Sequence, residues 1–250
     1  MTRASIDALH DRVPGITEDL LATAVGGGGA SPYSWLAELL PSGQVLDLCC
    51  GSAPMAEHVG RGQYLGVDSS VSELAVAAAR RPWATTVRAD VHGVDLAGRT
   101  FAAATLSMAL MLLPLEALLG RAREWLSPGG VLAATVPLRD PELDGSAYNG
   151  LLSAMGWRGE PFPEPLQGVA SRAAEAGFTV ESDELRLFAV PIATTADREL
   201  LLRSFYLPDR SSNRVGSARK LLLAEVAAGR STIGYPIRRL CLRRNESAPA

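Results

Sequence analysis

The sequence predicts an α/β fold that is organised around a nucleotide-binding βαβ unit in residues 44–68. Val45–Leu48 is a short apolar run that contains Asp47, and such runs are typical of strands buried on both faces of a parallel sheet. The small residues of Cys49–Ala53 follow it, and a second apolar run ends at Asp68, 21 residues after Asp47. A turn of small residues followed about 20 residues later by an acid is the layout that binds a nucleotide ribose.

Short helices are expected before this unit, at Ser5–Val13, Thr17–Val25 and Ser31–Leu40. Ser31 suits the N-cap of the third helix because its hydroxyl can accept a hydrogen bond from a backbone N–H of the first turn. The four consecutive glycines of Gly26–Gly29 separate the second and third helices. This glycine run is expected to act as a flexible hinge or lid.

The rest of the chain alternates strand and helix patterns, as expected for a parallel sheet. Asp90 directly follows the third strand and lies 22 residues after Asp68. The predicted strands after the first unit are Thr85–Ala89, Phe101–Met108, Val131–Val136, a sixth that begins at Thr179, and Pro236–Arg244. The predicted helices are Pro54–Val59, Ser70–Ala79, Leu115–Leu126 and Leu166–Ala176.

Two segments interrupt this pattern and are interpreted as insertions, 139–166 and 191–232. The first is rich in Gly and Pro and lacks periodicity, and a loop of that length in a compact domain is usually functional or disordered. Two helices, Ala196–Tyr206 and Ser217–Ala228, are expected in the second insertion, separated by a polar turn at Pro208–Gly216. From their position alone, we expect these insertions to form the substrate pocket.

The turn of the first unit resembles the first motif of the class I S-adenosylmethionine (SAM) methyltransferases, acid-x-Gly-x-Gly-x-Gly. Here it is Asp47-Leu-Cys-Cys-Gly-Ser-Ala53, so that Cys49 and Ala53 replace the outer glycines and Gly51 remains. The family's L-x-P-G-G turn and AGF sequence are matched by residues 126–130 and 176–178. The resemblance covers roughly residues 35–190 and resumes at the C-terminus, and the variant motif is similar to those near the quinone-biosynthesis C-methyltransferases.

The resemblance implies a Rossmann-like seven-stranded sheet that is parallel apart from one antiparallel C-terminal strand. Helices would cover both faces, and the insertions would add small helical caps. It implies one domain over residues 1–250, which is also the default for a chain of this length. Within it we expect N-terminal helices or a lid (1–43), a SAM-binding core (44–138), the two insertions and the last strand (233–244).

The resemblance also implies a set of cofactor-binding residues. Asp68 would bind both ribose hydroxyls, Asp90 the adenine amino group, and Asp47 would orient the turn or reach the methionine ammonium group. The full predicted set is Asp47, Cys49, Gly51, Ala53, Asp68, Ser69, Asp90, Val91, Ser107, Met108 and Tyr33.

Each of these residues also has a purely structural interpretation. Asp68 could cap the following helix, Asp90 could be a turn residue, and Asp47 could hold the turn without touching a ligand. Met108 and Tyr33 are equally suited to the core. No side chain stands out as a general base.

Composition excludes several classes of function. The net charge of −3 gives no general attraction to nucleic acid or to a membrane surface, and no 18-residue apolar run exists. Three cysteines, two of them adjacent, suit a reducing cytosol, and no metal-ligand spacing is present. We therefore expect a cytoplasmic protein that binds neither nucleic acid, membrane nor metal, either monomeric or homodimeric.

These observations favour a SAM-dependent methyltransferase that produces S-adenosylhomocysteine (SAH) and acts on an oxygen or carbon of a small molecule. The Asn/Asp-Pro-Pro-aromatic motif of many DNA and protein amino-methyltransferases is absent after the fourth strand. The alternatives are a catalytically inactive domain of the same fold, a SAM-binding enzyme that transfers no methyl group, and an NAD(P)-dependent oxidoreductase. The last would be expected to have a fuller Gly-x-Gly-x-x-Gly motif and often a Tyr-x-x-x-Lys pair, and neither is present.

Overall fold

The structure is a computed structural model that describes residues 10–138, 146–157, 159, 162, 167–205 and 211–246. In these residues, seven strands form one sheet. The strands are β1 (Val45–Leu48), β2 (Tyr64–Asp68), β3 (Thr85–Arg88), β4 (Phe101–Ser107), β5 (Leu126–Pro137), β6 (Phe178–Pro191) and β7 (Thr232–Arg244). Their order across the sheet is β3-β2-β1-β4-β5-β7-β6.

The pairing of the strands confirms the predicted fold class. The first five strands are parallel to one another, and β7 lies antiparallel between β5 and β6. The chain therefore has a Rossmann-like sheet with one antiparallel C-terminal strand. β1 lies near the middle, with β2 and β4 as its neighbours, so the carboxyl ends of these three strands meet at one edge.

Helices cover both faces of this sheet. The α-helices are α1 (Ile16–Thr23), α2 (Pro32–Ala37), α3 (Val71–Arg80), α4 (Leu115–Trp125), α5 (Ser146–Ala154), α6 (Val169–Glu175), α7 (Thr195–Ser204) and α8 (Ser212–Ala227). Short 3-10 helices lie at Gly27–Gly29, Pro54–His58 and Leu110–Leu112. Ser31 caps α2, as the sequence predicts, because its hydroxyl accepts a hydrogen bond from Ser34 N at 3.1 Å.

Alternating strand residues divide the core into two layers. Val45 and Ala103 face a cluster that includes residues of α1, α2, α5, α7 and α8. Leu46 and Ala104 face the opposite cluster, which includes residues of α4 and α6. This alternation places the N-terminal helix and the helices of the insertions on the same face of the sheet.

Three predicted elements were wrong. The segment 139–166 was expected to be irregular, but it contains α5, in which Leu151 is buried, and Met155 directly after the helix is also buried. The turn expected at Pro208–Gly216 lies partly outside the described residues, and α8 already begins at Ser212. The L-x-P-G-G turn is instead the first part of β5. Residues 5–9 of the first predicted helix lie outside the described residues.

Candidate active site

A cleft lies at the carboxyl ends of β1, β2 and β4. Seven of the eleven predicted cofactor residues line it: Tyr33, Asp47, Cys49, Gly51, Asp68, Ser107 and Met108. Ligands of open α/β sheets bind at this position, at the carboxyl ends of the strands. The cleft is therefore the candidate cofactor site.

The turn after β1 forms one wall of the cleft. Cys49, Gly51 and Ala53 all have positive φ angles, of 53°, 53° and 61°. A side chain makes this left-handed conformation costly, by roughly 1–2 kcal/mol per residue. Strain is therefore retained at Cys49 and Ala53, which replace the outer glycines of the family motif. The small side chains of Cys49 and Ala53 limit the crowding around this backbone.

Asp68, at the end of β2, connects this turn to helix α3. Its Oδ2 accepts a hydrogen bond from Gly51 N at 2.8 Å, and its Oδ1 accepts one from Ser70 N at 2.8 Å. The N-cap of α3 is Ser70, not Asp68, so the capping interpretation of Asp68 was wrong. Burial raises the pKa of Asp68, although its two backbone hydrogen bonds oppose that shift.

Asp47 lies beneath the turn with both carboxylate oxygens engaged by the protein. The hydroxyl groups of Tyr64 and Thr105 each donate a hydrogen bond to it, at 2.7 Å. Its side chain is 1% exposed, and burial raises its pKa to about 6. This geometry supports a structural role for Asp47 between three strands, although the residue also borders the cleft.

Ser107 and Met108 close the cleft at the end of β4. Met108 has a φ of 58°, and its N–H donates hydrogen bonds to the carbonyl and hydroxyl oxygens of Thr135, at 2.9 and 3.3 Å. Among the described residues, Cys49, Ala53 and Met108 are three of the four non-glycine residues with positive φ. Strained backbone is thus concentrated at this edge of the sheet, as it often is at functional sites.

Four predicted residues do not line the cleft. Ala53 is fully buried in the core, and the side chain of Ser69 is exposed. Asp90 is half-buried and accepts a hydrogen bond from His92 N, which agrees with the turn interpretation. Val91 is buried in the hydrophobic layer beside α4.

The sequence analysis missed Glu73, which is 2% exposed and lines the cleft. Both of its carboxylate oxygens accept hydrogen bonds from Gly15 N, at 3.0 and 3.1 Å, and His10 Nδ1 lies 2.6 Å from Oε1. These partners are about 60 residues away in sequence. Glu73 therefore attaches the segment before α1 to the edge of the cleft.

A second missed contact joins α1 to the same turn through Glu18. Its carboxylate accepts hydrogen bonds from Ser52 Oγ at 2.6 Å and from Arg81 at 2.7 and 3.2 Å, and Arg80 pairs with it at 2.8 Å. Burial alone would raise the pKa of Glu18, but these partners lower it. Arg81 also donates to Ser52 O at 3.1 Å, so α1, α3 and the turn form one polar network.

A second cavity adjoins the cleft and is called the apolar chamber here. Thr17, Met108 and Leu112 line both cavities. The remaining residues of the chamber are Leu20, Leu21, Met111, Pro137, Tyr148, Leu152, Trp157, Ser204, Phe205 and Tyr235. Five of them belong to the two insertions: Tyr148, Leu152, Trp157, Ser204 and Phe205.

Further charged and reactive side chains have structural environments. Arg238 and Arg243 pair across the sheet with Asp183 and Glu181. Burial raises the pKa of the Cys50 thiol well above its usual range, which makes it unsuited to act as a thiolate nucleophile.

The described residues contain no cluster of His, Cys, Asp and Glu arranged to hold a metal ion. No helix within them has both the length and the apolar character needed to cross a membrane.

Residues 45–130 match the family model described as "Methyltransferase domain". A search of curated proteins finds no match. Among solved structures, the chain is similar to the (4+2)-cyclase SpnF, with 18% identity, a TM-score of 0.59 and coverage of 98% of this chain and 96% of that chain. It is also similar to phosphoethanolamine N-methyltransferase 2 of Haemonchus contortus, solved with phosphomonomethylethanolamine and SAH, with 17% identity, a TM-score of 0.58 and coverage of 98% and 61%.

These comparisons confirm the predicted resemblance at the level of the domain and the fold. Residues 45–130 resemble a methyltransferase domain, and the chain shares its fold with solved structures that include a methyltransferase. The closer relationship to the quinone-biosynthesis C-methyltransferases is not confirmed.

Proposed function

We propose that the protein is a SAM-dependent methyltransferase that acts on an oxygen or carbon of a small molecule. The observation that carries this proposal is the charge of the cleft. Glu18, Asp47, Asp68 and Glu73 line it, and the single basic residue among its described lining residues is His10. Glu18 is paired with two arginines and Glu73 with His10, and Asp47 and Asp68 add two further carboxylates beside the ligand space.

This charge distribution distinguishes between nucleotide cofactors. SAM carries a sulfonium and an ammonium group, whose positive charges are favoured near carboxylates. The diphosphate of NAD⁺ or NADP⁺ would meet these carboxylates without an Arg or Lys among the described lining residues. The cleft therefore fits SAM and disfavours the oxidoreductase alternative.

The residues of the cleft have defined tasks in this proposal. Each oxygen of Asp68 accepts one backbone hydrogen bond and, having two lone pairs, can also accept one from a ribose hydroxyl. The small turn at Cys49–Gly51 permits close approach of a ligand to the backbone. Met108 and Leu112 lie at the border between the cleft and the apolar chamber, where the acceptor would bind.

Methyl transfer places modest demands on the protein. SAM, when bound, supplies an activated methyl group, so the protein contributes binding and orientation. Holding both reactants in attack geometry can supply about 7–11 kcal/mol of the barrier. The proposal therefore needs no dedicated base among the described residues.

A second candidate function is a SAM-binding enzyme that catalyses a different reaction. The similarity to SpnF, which is named as a cyclase, favours keeping this candidate. Both candidates require the same cofactor site. They differ in whether SAH accumulates during turnover.

A thermal melt with SAH, NAD⁺ and NADP⁺ tests the cofactor assignment. Ligand at about 1,000 times its Kd adds about 4 kcal/mol to the free energy of unfolding. For a domain of this size that corresponds to a shift in Tm of roughly 8–16 °C. We expect this shift with SAH alone. A shift with NAD⁺ or NADP⁺ and none with SAH would contradict the proposal.

Once SAH binding is shown, incubation of the protein with SAM and a panel of acceptors separates the two candidate functions, because only a methyltransferase forms SAH during turnover.

A further inference from the structure

We infer that the acceptor is an uncharged, largely apolar, ring-bearing molecule that binds in the apolar chamber. This inference rests on the proposed function, since it takes the neighbouring cleft to be the cofactor site. It narrows the acceptor from any small molecule to one chemical class. It also excludes amino acids and phosphate-bearing amines as acceptors.

The position of the chamber is the first part of the argument. In-line methyl transfer requires the acceptor atom to lie about 3–3.5 Å from the methyl carbon, so the acceptor must bind directly beside the cofactor cleft. The chamber lies directly beside it, because Thr17, Met108 and Leu112 line both cavities. A larger groove between Val25 and Gly234 has no lining residue in common with the cleft.

The chemistry of the walls is the second part. None of the chamber residues that the structure describes is Asp, Glu, Lys, Arg or His. Its two aliphatic hydroxyl residues are Thr17 and Ser204, and the Ser204 hydroxyl donates a hydrogen bond to Leu201 O at 2.7 Å. A carboxylate, phosphate or ammonium group would lose its hydration here without gaining an opposite charge from these described residues, which strongly disfavours binding.

The aromatic side chains of the chamber indicate the shape of the acceptor. Tyr148 packs on Phe205 with ring centroids 5.9 Å apart and on Tyr235 with centroids 4.6 Å apart. The rings contact one another and so form a continuous wall, not an open cage for a methylated ammonium group. Such a wall offers offset or edge-to-face contacts to a flat ring.

Three probes with the same ring system and different charges test the inference. 2-Naphthol, 2-naphthoate and 2-naphthylmethylammonium are each titrated calorimetrically into the protein saturated with SAH. We expect 2-naphthol to bind at least about tenfold more tightly than either charged probe, because the described residues of the chamber provide no partner for a charge. Equal or tighter binding of a charged probe, or no binding of 2-naphthol, would overturn the inference.

A matched pair of tryptophan variants locates the bound probe. Trp157 lines the chamber, and Trp83 lies outside it under Arg61; both are half-buried. We expect W157A to weaken 2-naphthol binding at least about fivefold through the loss of aromatic contact, and W83A to change it less than about twofold. If W157A left the affinity unchanged, the probe would be bound elsewhere and the inference would be wrong.

The affinity for SAH separates failure of this inference from failure of the proposed function. Unchanged SAH affinity in both variants shows that they are folded with an intact cofactor cleft. If SAH binds and 2-naphthol does not, the acceptor class is wrong and the cofactor assignment stands. If SAH itself does not bind to the unaltered protein, the proposed function fails, and the inference with it.

Discussion

The substitution D47N is expected to stabilise the protein at neutral pH. In the structure, the buried Asp47 carboxylate accepts hydrogen bonds from Tyr64 and Thr105, and no cation is among the groups that shift its pKa. Asparagine has nearly the same shape. Its carbonyl can accept from one hydroxyl, and its amide can donate to the other, so both contacts are kept without a buried charge.

The size and the pH range of this effect follow from the pKa of Asp47. Burial raises that pKa from 3.8 to about 6, so folding favours the protonated form. At about 1.4 kcal/mol for each tenfold difference in proton affinity, the ionised residue costs the fold about 3 kcal/mol. The cost is absent below the unfolded-state pKa and grows as the pH rises through the folded-state pKa, so about 2 kcal/mol of it appears between pH 4.5 and 7.5.

Urea unfolding of both proteins at pH 4.5 and 7.5 measures this effect. The free energy of unfolding of D47N, relative to that of the unaltered protein, should rise by about 2 kcal/mol between the two values. The variant D95N, which removes an exposed carboxylate, controls for the change in net charge. A D47N difference that is independent of pH within about 0.5 kcal/mol, or that changes in the opposite direction, would refute the reasoning.

Three further predictions concern the turn and the helix that covers it. G51A should lower the free energy of unfolding by about 1–2 kcal/mol, because φ is 53° there and the added Cβ would lie in ordinary contact with its neighbours; an unchanged urea midpoint would contradict it. Cys49 should react with iodoacetamide before the buried Cys50 and Cys241. Because Cys49 lines the cleft, SAH at 100 times its Kd should slow that reaction about 100-fold. If SAH does not slow the labelling, Cys49 lies outside the cofactor site. E18Q should weaken the attachment of α1 by about 2 kcal/mol, because it removes the charge that pairs with Arg81. Hydrogen exchange in the variant should then be faster in α1 than in the sheet, and equal protection of both would contradict this prediction.

The sheet could be predicted because its strands carry local signals. Val45–Leu48 and Phe101–Ser107 are apolar runs bounded by turn residues, and their order along the chain fits the parallel topology. Helix α5 was missed because Gly150 and the surrounding glycines and prolines obscure its periodicity, while burial of Leu151 and Met155 against the core stabilises it. Tertiary packing there outweighs local propensity.

The site could be predicted only in part, for a similar reason. Asp68 and Gly51 follow from a motif in which spacing alone implies the geometry, and the structure joins them by a hydrogen bond. Glu73 and Glu18 have no such local signal, because their partners are 34–63 residues away in sequence. A buried carboxylate can be recognised from the sequence only when its partner is known, and here the fold supplies the partner.

Calorimetric titration of SAH into the unaltered protein, D68A and D95N tests the central claim, that this cleft binds SAM through Asp68. Loss of two hydrogen bonds to a charged group, at about 1.5–3 kcal/mol each, predicts that D68A binds SAH at least about 100-fold more weakly. D95N should bind as the unaltered protein does, because Asp95 is not among the residues that line the cleft. If the unaltered protein did not bind SAH, or if D68A bound it within about threefold of the unaltered affinity, the claim would be wrong.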